Sequence, residues 1–397
     1  MSSIPPTPLQ PDRLMSHLYA LCKGIGPRPP TSPQERQAAG YVKKTLGQLG
    51  YAEVQEQAFK SPSSLGWVIV ICLLAAALAI PLAWAGGQWG KFAGGVLLVG
   101  SAIVLRGFFL AKFPFFQNLI ARGDSQNLSL HVPPSGPEKR RVYLIGHLDT
   151  QKQRYLSPPP ATGWMVVNGT LLILVPLLAG ILLFLEFLLG WQGAAWWGWL
   201  AFALILFTLL AFLSDEIRPH VEGANDNASA VSVLLGIAEA LKTQPVQHAG
   251  VTLLFTGCEE VICVGMEHYL RRFKPPRENT FWIDLEMVGT GDLCYVTRHG
   301  ISYLTRYEPA VEMVALATRT AQKHPELVVT GKDVVILEEV ANLCNHGYQA
   351  ICLTSYDQKG NLANWHRLSD NLEHIQPDTL SRAASFTWAL VQEIDAL

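Results

Sequence analysis

The sequence predicts an α/β fold: a mainly parallel mixed sheet flanked by helices, with four transmembrane helices inserted as two hairpins. Three observations carry that expectation. Short apolar, strand-like runs alternate with amphipathic helical periods, the pattern of a sheet covered on both faces. Four runs of roughly 20 mostly apolar residues each match a hydrocarbon core of about 30 Å. The 397-residue chain is 49% hydrophobic and only 16% charged, too apolar for an ordinary soluble protein and long enough for one soluble domain plus membrane segments.

Taken in order, Asp12–Gly24 and Ser32–Leu49 read as amphipathic helices, the second with Ser32 as N-cap, Pro33 at its first position and Gly50 as its stop. Tyr51–Phe59 reads as a short strand. Apolar runs Leu65–Ala85 and Phe92–Ala111 form a hairpin around Gly86–Lys91. Gln117–Ala121, Leu128–Val132 and Val142–Gly146 read as strands, the last leading into His147-Leu148-Asp149-Thr150. A second hairpin, Trp164–Leu189 and Trp196–Leu213, has Trp164, Trp191, Trp196 and Trp197 near its ends, as an interfacial belt requires. Arg106 and Glu186, near the ends of apolar runs, are expected to snorkel to the interface. Beyond Val221, strands Val251–Thr256, Thr280–Leu285 and Ala350–Thr354 alternate with helices Gly265–Arg272, Pro309–Lys323, Val335–His346 and a closing helix from Pro377. Residues 1–64, 114–162 and 215–397 are thus three parts of one domain, interrupted by hairpins at 65–113 and 163–214.

A net charge of −2 gives no reason to invoke nucleic acid. Seven scattered cysteines with no CxxC pair suggest neither a disulfide framework nor a thiolate zinc site, and a reducing compartment fits them. Met1–Met15 is polar and proline-rich, without a basic region followed by an apolar core, so no signal peptide is expected.

In a parallel sheet the ligand site lies beyond the carboxyl ends of the strands. His147 and Asp149 follow Val142–Gly146, Glu259 and Glu260 follow Val251–Thr256, Asp284 is late in Thr280–Leu285, and His366 follows Ala350–Thr354. Asp226 lies where the long apolar region ends and a new amphipathic helix begins, at a helix N-terminus that favours anionic groups. Singly, a His-x-Asp is more often a hydrogen-bonded pair and two adjacent glutamates a solvated surface. Asp284 inside an apolar strand differs, because a buried unpaired carboxylate is costly and finds a cation or donors. Jointly, nitrogen and carboxylate ligands without thiolates suit a catalytic zinc site, and the excess of carboxylates suggests two ions.

These residues resemble the successive motifs of a family. His147-x-Asp149, Gly223-Ala224-Asn225-Asp226-Asn227, Glu259-Glu260, Asp284 in Ile-Asp-Leu-Glu-Met-Val-Gly, and His366-x3-Asp370 look like those of the di-zinc aminopeptidases typified by bacterial leucyl aminopeptidase, with glutamate carboxypeptidase and glutaminyl cyclase as relatives. The resemblance implies a zinc aminopeptidase-like sheet and two zinc ions per chain, one held by Asp226, Glu260 and His366, the other by His147, Asp226 and Asp284. It implies that Glu259 is the general base, taking a proton from the attacking water and passing it to the leaving amine. Asp149 would fix the His147 tautomer. The Asp226–Asn227 peptide bond would be cis.

The expected activity is that of a membrane-anchored aminopeptidase hydrolysing amide bonds at the N-terminus of peptides. Hydrolysis of N-acyl amino acids or lipid amides, and a non-catalytic receptor or scaffold, are the alternatives. Because the second hairpin separates His147 from Asp226, it rises from the rim of the site; either this favours a peptide or acyl-amide substrate at the bilayer surface, or the hairpins merely anchor a general aminopeptidase. Core-side charges Lys60, Lys112, Arg122, Arg154 and Arg218, against Lys91 alone in the turns, put the catalytic domain of this multi-pass protein on the cytoplasmic side. The lipid bilayer and the substrate are the expected partners, nucleic acid is not, and the oligomeric state is open.

Overall fold

The computed structural model describes residues 9–112, 122–154, 162–190 and 196–397. Eight strands form one mixed sheet: β1 (Val54–Pro62), β2 (Arg122–Val132), β3 (Arg140–His147), β4 (Ala249–Thr256), β5 (Thr280–Leu285), β6 (Asp292–Arg298), β7 (Thr330–Asp333) and β8 (Gln349–Tyr356). Their spatial order is β1-β2-β4-β3-β5-β8-β6-β7. The block β4-β3-β5-β8 is parallel throughout. Antiparallel β1 and β2 extend one side, and β6 runs antiparallel to β8 on the other.

The parallel block is buried on both faces, which is why Val142–Ile145 and Val251–Phe255 are continuous apolar runs rather than alternating ones. On one face pack α1 (Pro11–Tyr19), α2 (Pro33–Gln48), α7 (Ser229–Thr243), α9 (Val311–Lys323) and α11 (Pro377–Ala396), through residues such as Leu18, Leu234, Leu316 and Phe386. On the other, α8 (Val264–Phe273) and α10 (Val340–Asn345) cover Tyr143 and Trp282, whose rings stack at 3.9 Å. The Ser32 cap is as expected: its Oγ accepts from Glu35 N at 3.1 Å, with Pro33 at the first turn and Gly50 in the left-handed region after the helix.

Strands β6 and β7 were not anticipated. Asp292 and Arg298 end β6 with charge and mask its short buried run, and β7 is a polar edge strand. The expected helix Val335–His346 shortens to α10, leaving Glu338 and Glu339 before it. Gln117–Ala121 and Trp191 lie outside the described residues.

Among the described residues, four helices are long and apolar enough to cross a membrane: α3 (Gly66–Ala85), α4 (Gly87–Phe108), α5 (Thr162–Leu189) and α6 (Trp196–Glu216). Small residues set their spacing. A Cβ on Gly94 would meet Ala79 O at 2.6 Å, and one on Gly180 would meet Val99 Cγ2 at 2.7 Å. Glu186 does not snorkel: it is buried and pairs with Lys91 across α4 and α5 at 3.2 Å. The outward faces carry exposed Ile71, Leu78, Ile103, Leu178, Phe207 and Leu210, an apolar perimeter unsuited to water. The second hairpin returns to the sheet domain at Glu216, where Lys152 Nζ (2.9 Å) and Arg154 Nη1 (2.8 Å) hold its carboxylate.

Candidate metal centre

Every candidate group but one arrives at the carboxyl end of the parallel block. His147 ends β3, and the turn Ala224–Ala228 delivers Asp226 just ahead of α7. Gly223 in that turn has φ +67°, and a Cβ there would meet Thr150 Cγ2 at 2.2 Å, so this close approach requires glycine. The Asp226–Asn227 peptide bond is cis. Glu259 and Glu260 form a single turn after β4, between the left-handed residues Cys258 and Ile262. Glu286 stands one residue beyond β5, where its N–H still bonds Leu353 O, and His366, also left-handed, lies in the loop after β8. Non-glycine residues at positive φ cost about 1–3 kcal/mol each and persist where packing over-determines them.

Asp226 stands at the centre. Its Oδ1 is 3.2 Å from His147 Nε2, and its Oδ2 is 3.4 Å from His366 Nε2. His147 Nε2 also lies 3.3 Å from Glu286 Oε1, and His366 Nε2 lies 3.2 Å from Glu260 Oε2. Two three-residue clusters, His147–Asp226–Glu286 and Asp226–Glu260–His366, therefore share one carboxylate, and each has the spacing to hold a metal ion. Glu259 Oε2 is 3.8 Å from His147 Nε2. All six residues are buried.

The donor set fits cations. Asp226 Oδ1 and Glu260 Oε1 are buried without a hydrogen-bond partner. Four carboxylates crowd two imidazoles, and burial makes that concentration of negative charge costly unless a cation neutralises it. The same crowding appears in proton affinities. Burial opposes charge on His366, yet Glu260 and Asp226 raise it to about 9, and His147 is likewise held well above the ordinary range by Glu286, Asp149 and Asp226. Glu259 and Glu286 are pushed well above the usual carboxylate range, first by burial and then by neighbouring acids.

An outer layer aims these groups. Asp370 accepts from Asn225 N (2.6 Å) and Asp226 N (3.1 Å). Asn227 Nδ2 donates to Glu286 Oε2 at 2.9 Å, and Gln151 Nε2 donates to Glu260 Oε2 at 3.0 Å. Asp149 stands beside His147, as the resemblance implies, and also bonds the glutamate turn. Its carboxylate accepts the backbone N–H groups of Glu259 and Glu260, each at 3.1 Å, while His147 Nδ1 bonds the Asp149 carbonyl at 3.1 Å and stands 3.6 Å from the carboxylate. Asp149 thus presents the glutamate pair with its side chain and orients His147 with its backbone.

The exception is Asp284. Its carboxyl is fully buried beside Glu338 and Cys352, with both oxygens lacking a hydrogen-bond partner, and it does not join His147 and Asp226. Glu286 occupies that position instead. Residues two apart share a strand face, so Asp284 lies one pleat repeat deeper under the same site. Burial, then Glu339 and Glu338, hold its carboxyl well above the usual range. The sequence held the signal in Ile-Asp-Leu-Glu, two acids on one face, of which only the second clears the end of β5. Gln151 and Asn227 carried no such signal.

A cavity opens from this centre toward the long helices. Glu259, Glu260, Trp365 and His366 line its floor, and Ile69, Met165, Leu172 and Phe212 its roof.

Comparison with known proteins agrees with the geometry. Residues 211–391 match the model of peptidase family M28. A leucine aminopeptidase precursor from Bacteroides thetaiotaomicron has the same fold at 16% identity and a TM-score of 0.57, covering 97% of each chain. A zinc aminopeptidase from Bacillus subtilis aligns at 14% identity and 0.56 over 98% of this chain and 96% of its own. The glutaminyl cyclase of Porphyromonas gingivalis aligns at 16% and 0.57 over 98% of both. No curated protein matches the sequence.

Proposed function

We propose that this chain, which carries a peptidase family M28 domain, is a membrane-anchored amide hydrolase of the aminopeptidase type with two zinc ions per chain. The observation that carries the reading is Asp226, whose two oxygens face two separate histidine–glutamate clusters. His147, Asp226 and Glu286 would hold one ion, and Asp226, Glu260 and His366 the other. When bound, such a pair supplies Lewis acidity for the scissile carbonyl and for the attacking water.

The chain's own residues do the rest. Glu259 lines the cavity beside the clusters, placed to take a proton from water and return it to the departing amine. Cys263 Sγ donates to Glu259 Oε1 at 3.1 Å, which leaves Oε2 facing His147. Asp149, Asp370, Asn227 and Gln151 fix the orientation of the groups they bond. The apolar roof excludes water from one side of the reaction and strengthens the electrostatics within.

The four long helices anchor this domain to a bilayer, with both hairpins returning to the sheet side and the catalytic domain on the cytoplasmic face. The test is hydrolysis of aminoacyl amides by detergent-purified protein, beside N-terminal glutaminyl peptides as a cyclase control. Activity abolished by a chelator and restored by zinc supports the reading. Metal-laden protein that turns over no amide would contradict it.

A further inference from the structure

The cavity above the centre does not end at the domain surface. A second cavity lies between α5 and α6, lined by Leu171, Val175, Pro176, Leu204, Phe207 and Thr208, and the two share Asn168 and Leu172 as walls. Although α5 and α6 are consecutive, α5 packs chiefly on α4 and α6 chiefly on α3. Exposed Leu171, Leu204 and Phe207 of the apolar perimeter line the seam between them.

From the shared wall between the catalytic cavity and this seam, we infer that α5 and α6 form a binding groove for the long alkyl chain of an amphiphilic amide substrate. The chain enters laterally from the bilayer, its amide resting at Glu259 and His366. This inference rests on the amide-hydrolase reading above and names its substrate class.

Two physical points select an alkyl chain. Met165 to Pro176 covers twelve residues of α5, about 16 Å along the axis, deeper than one side chain of a bound peptide reaches. The seam's walls are apolar except for Asn168 and Thr208, and the Thr208 hydroxyl already donates to Leu204 O at 2.8 Å. A peptide backbone threaded there would leave its N–H and C=O groups unpaired, whereas methylenes need no partner. The polar end of such a substrate meets Arg154, Asp215 and the catalytic glutamates at the mouth.

The test uses the full chain in nanodiscs with two substrate series, N-acyl amino acids and aminoacyl alkylamides, each from four to sixteen carbons. At least one series is expected to gain at least about tenfold in kcat/KM between four and twelve carbons, as successive methylenes are buried. Val175→Phe, or Leu204→Trp should that variant fold poorly, is expected to flatten this dependence while short amides are still cleaved. Cleavage of short amides with no chain-length dependence in either series, or a dependence untouched in both variants, would overturn the groove. If no amide is cleaved, the hydrolase reading fails by itself, and photolabelling decides the groove. A long-chain amide bearing an alkyl diazirine should label residues 165–176 and 204–208, and Val175→Phe should reduce it. Labelling elsewhere, or labelling displaced by an apolar peptide and not by a long-chain amide, would overturn it.

Discussion

Glu286 Oε1 lies 3.3 Å from His147 Nε2, while Asp284, two residues back on the same strand, keeps its carboxyl beside Glu338 and Cys352. Two acids on one strand face thus have separate fates. Glu286→Gln is expected to weaken one of the two zinc ions by more than the 10- to 100-fold that losing an outer partner typically costs, about one ion being lost per chain. Asp284→Asn should keep both, because its carboxyl lies beside Glu338 and Cys352 and joins neither cluster. Metal analysis after gel filtration distinguishes the two.

Glu259→Ala is expected to retain both ions and lose about 10²- to 10⁴-fold in kcat, the usual contribution of a general acid–base group. Loss of metal along with activity would instead assign Glu259 to ligation.

Asp149→Asn removes a charge that two backbone N–H groups share, those of Glu259 and Glu260. The geometry predicts a loss of zinc affinity and activity of about 10- to 100-fold with the fold intact. Calorimetric zinc titration of the stripped protein checks the first, and circular dichroism the second.

A clamp connects the second hairpin to the centre. Glu216, at the end of α6, holds Lys152 and Arg154; Arg154 Nη2 donates to Gln151 Oε1 at 3.0 Å, and Gln151 donates to Glu260. Glu216→Ala leaves two cations without their buried partner, and should cost about 3–5 kcal/mol in detergent unfolding. Gln151→Ala should leave stability nearly unchanged and raise zinc dissociation.

Stability also depends on His17, whose Nδ1 lies 2.8 Å from Tyr41 Oη. Burial, then the Arg13 charge, lowers its pKa from 6.5 to about 4. Between those values the unfolded chain binds the proton and the folded chain does not, so stability falls as pH drops from 6.5 toward 4 and changes no further from this group below that. His17→Gln should flatten that part of the profile in thermal unfolding.

Much of this was legible in the sequence because the amphipathic helices declare themselves by periodicity and the buried segments by unbroken apolar runs. The four long helices and the strands Val142–Gly146 and Val251–Thr256 are continuous apolar runs, and the groups at their ends follow from the rule that ligands collect there. What escaped had a physical cause. Asp284 and Glu286 share one face, so alternation cannot separate them; only the point at which β5 ends does, and the match chose the deeper acid. Glu186 looked like a terminal charge until Lys91, far away in sequence, came across to meet it. Gln151 and Asn227 act through distances that no spacing encodes.

The claim at the centre of this account is that the Asp226 carboxylate serves two ions at once. The direct measurement is zinc stoichiometry by mass spectrometry on protein purified without chelator, wild type beside Asp226→Asn. Two zincs per chain in the wild type and fewer than one in the variant are the predicted result. A wild type holding one ion or none, or a variant that still holds two, would contradict it.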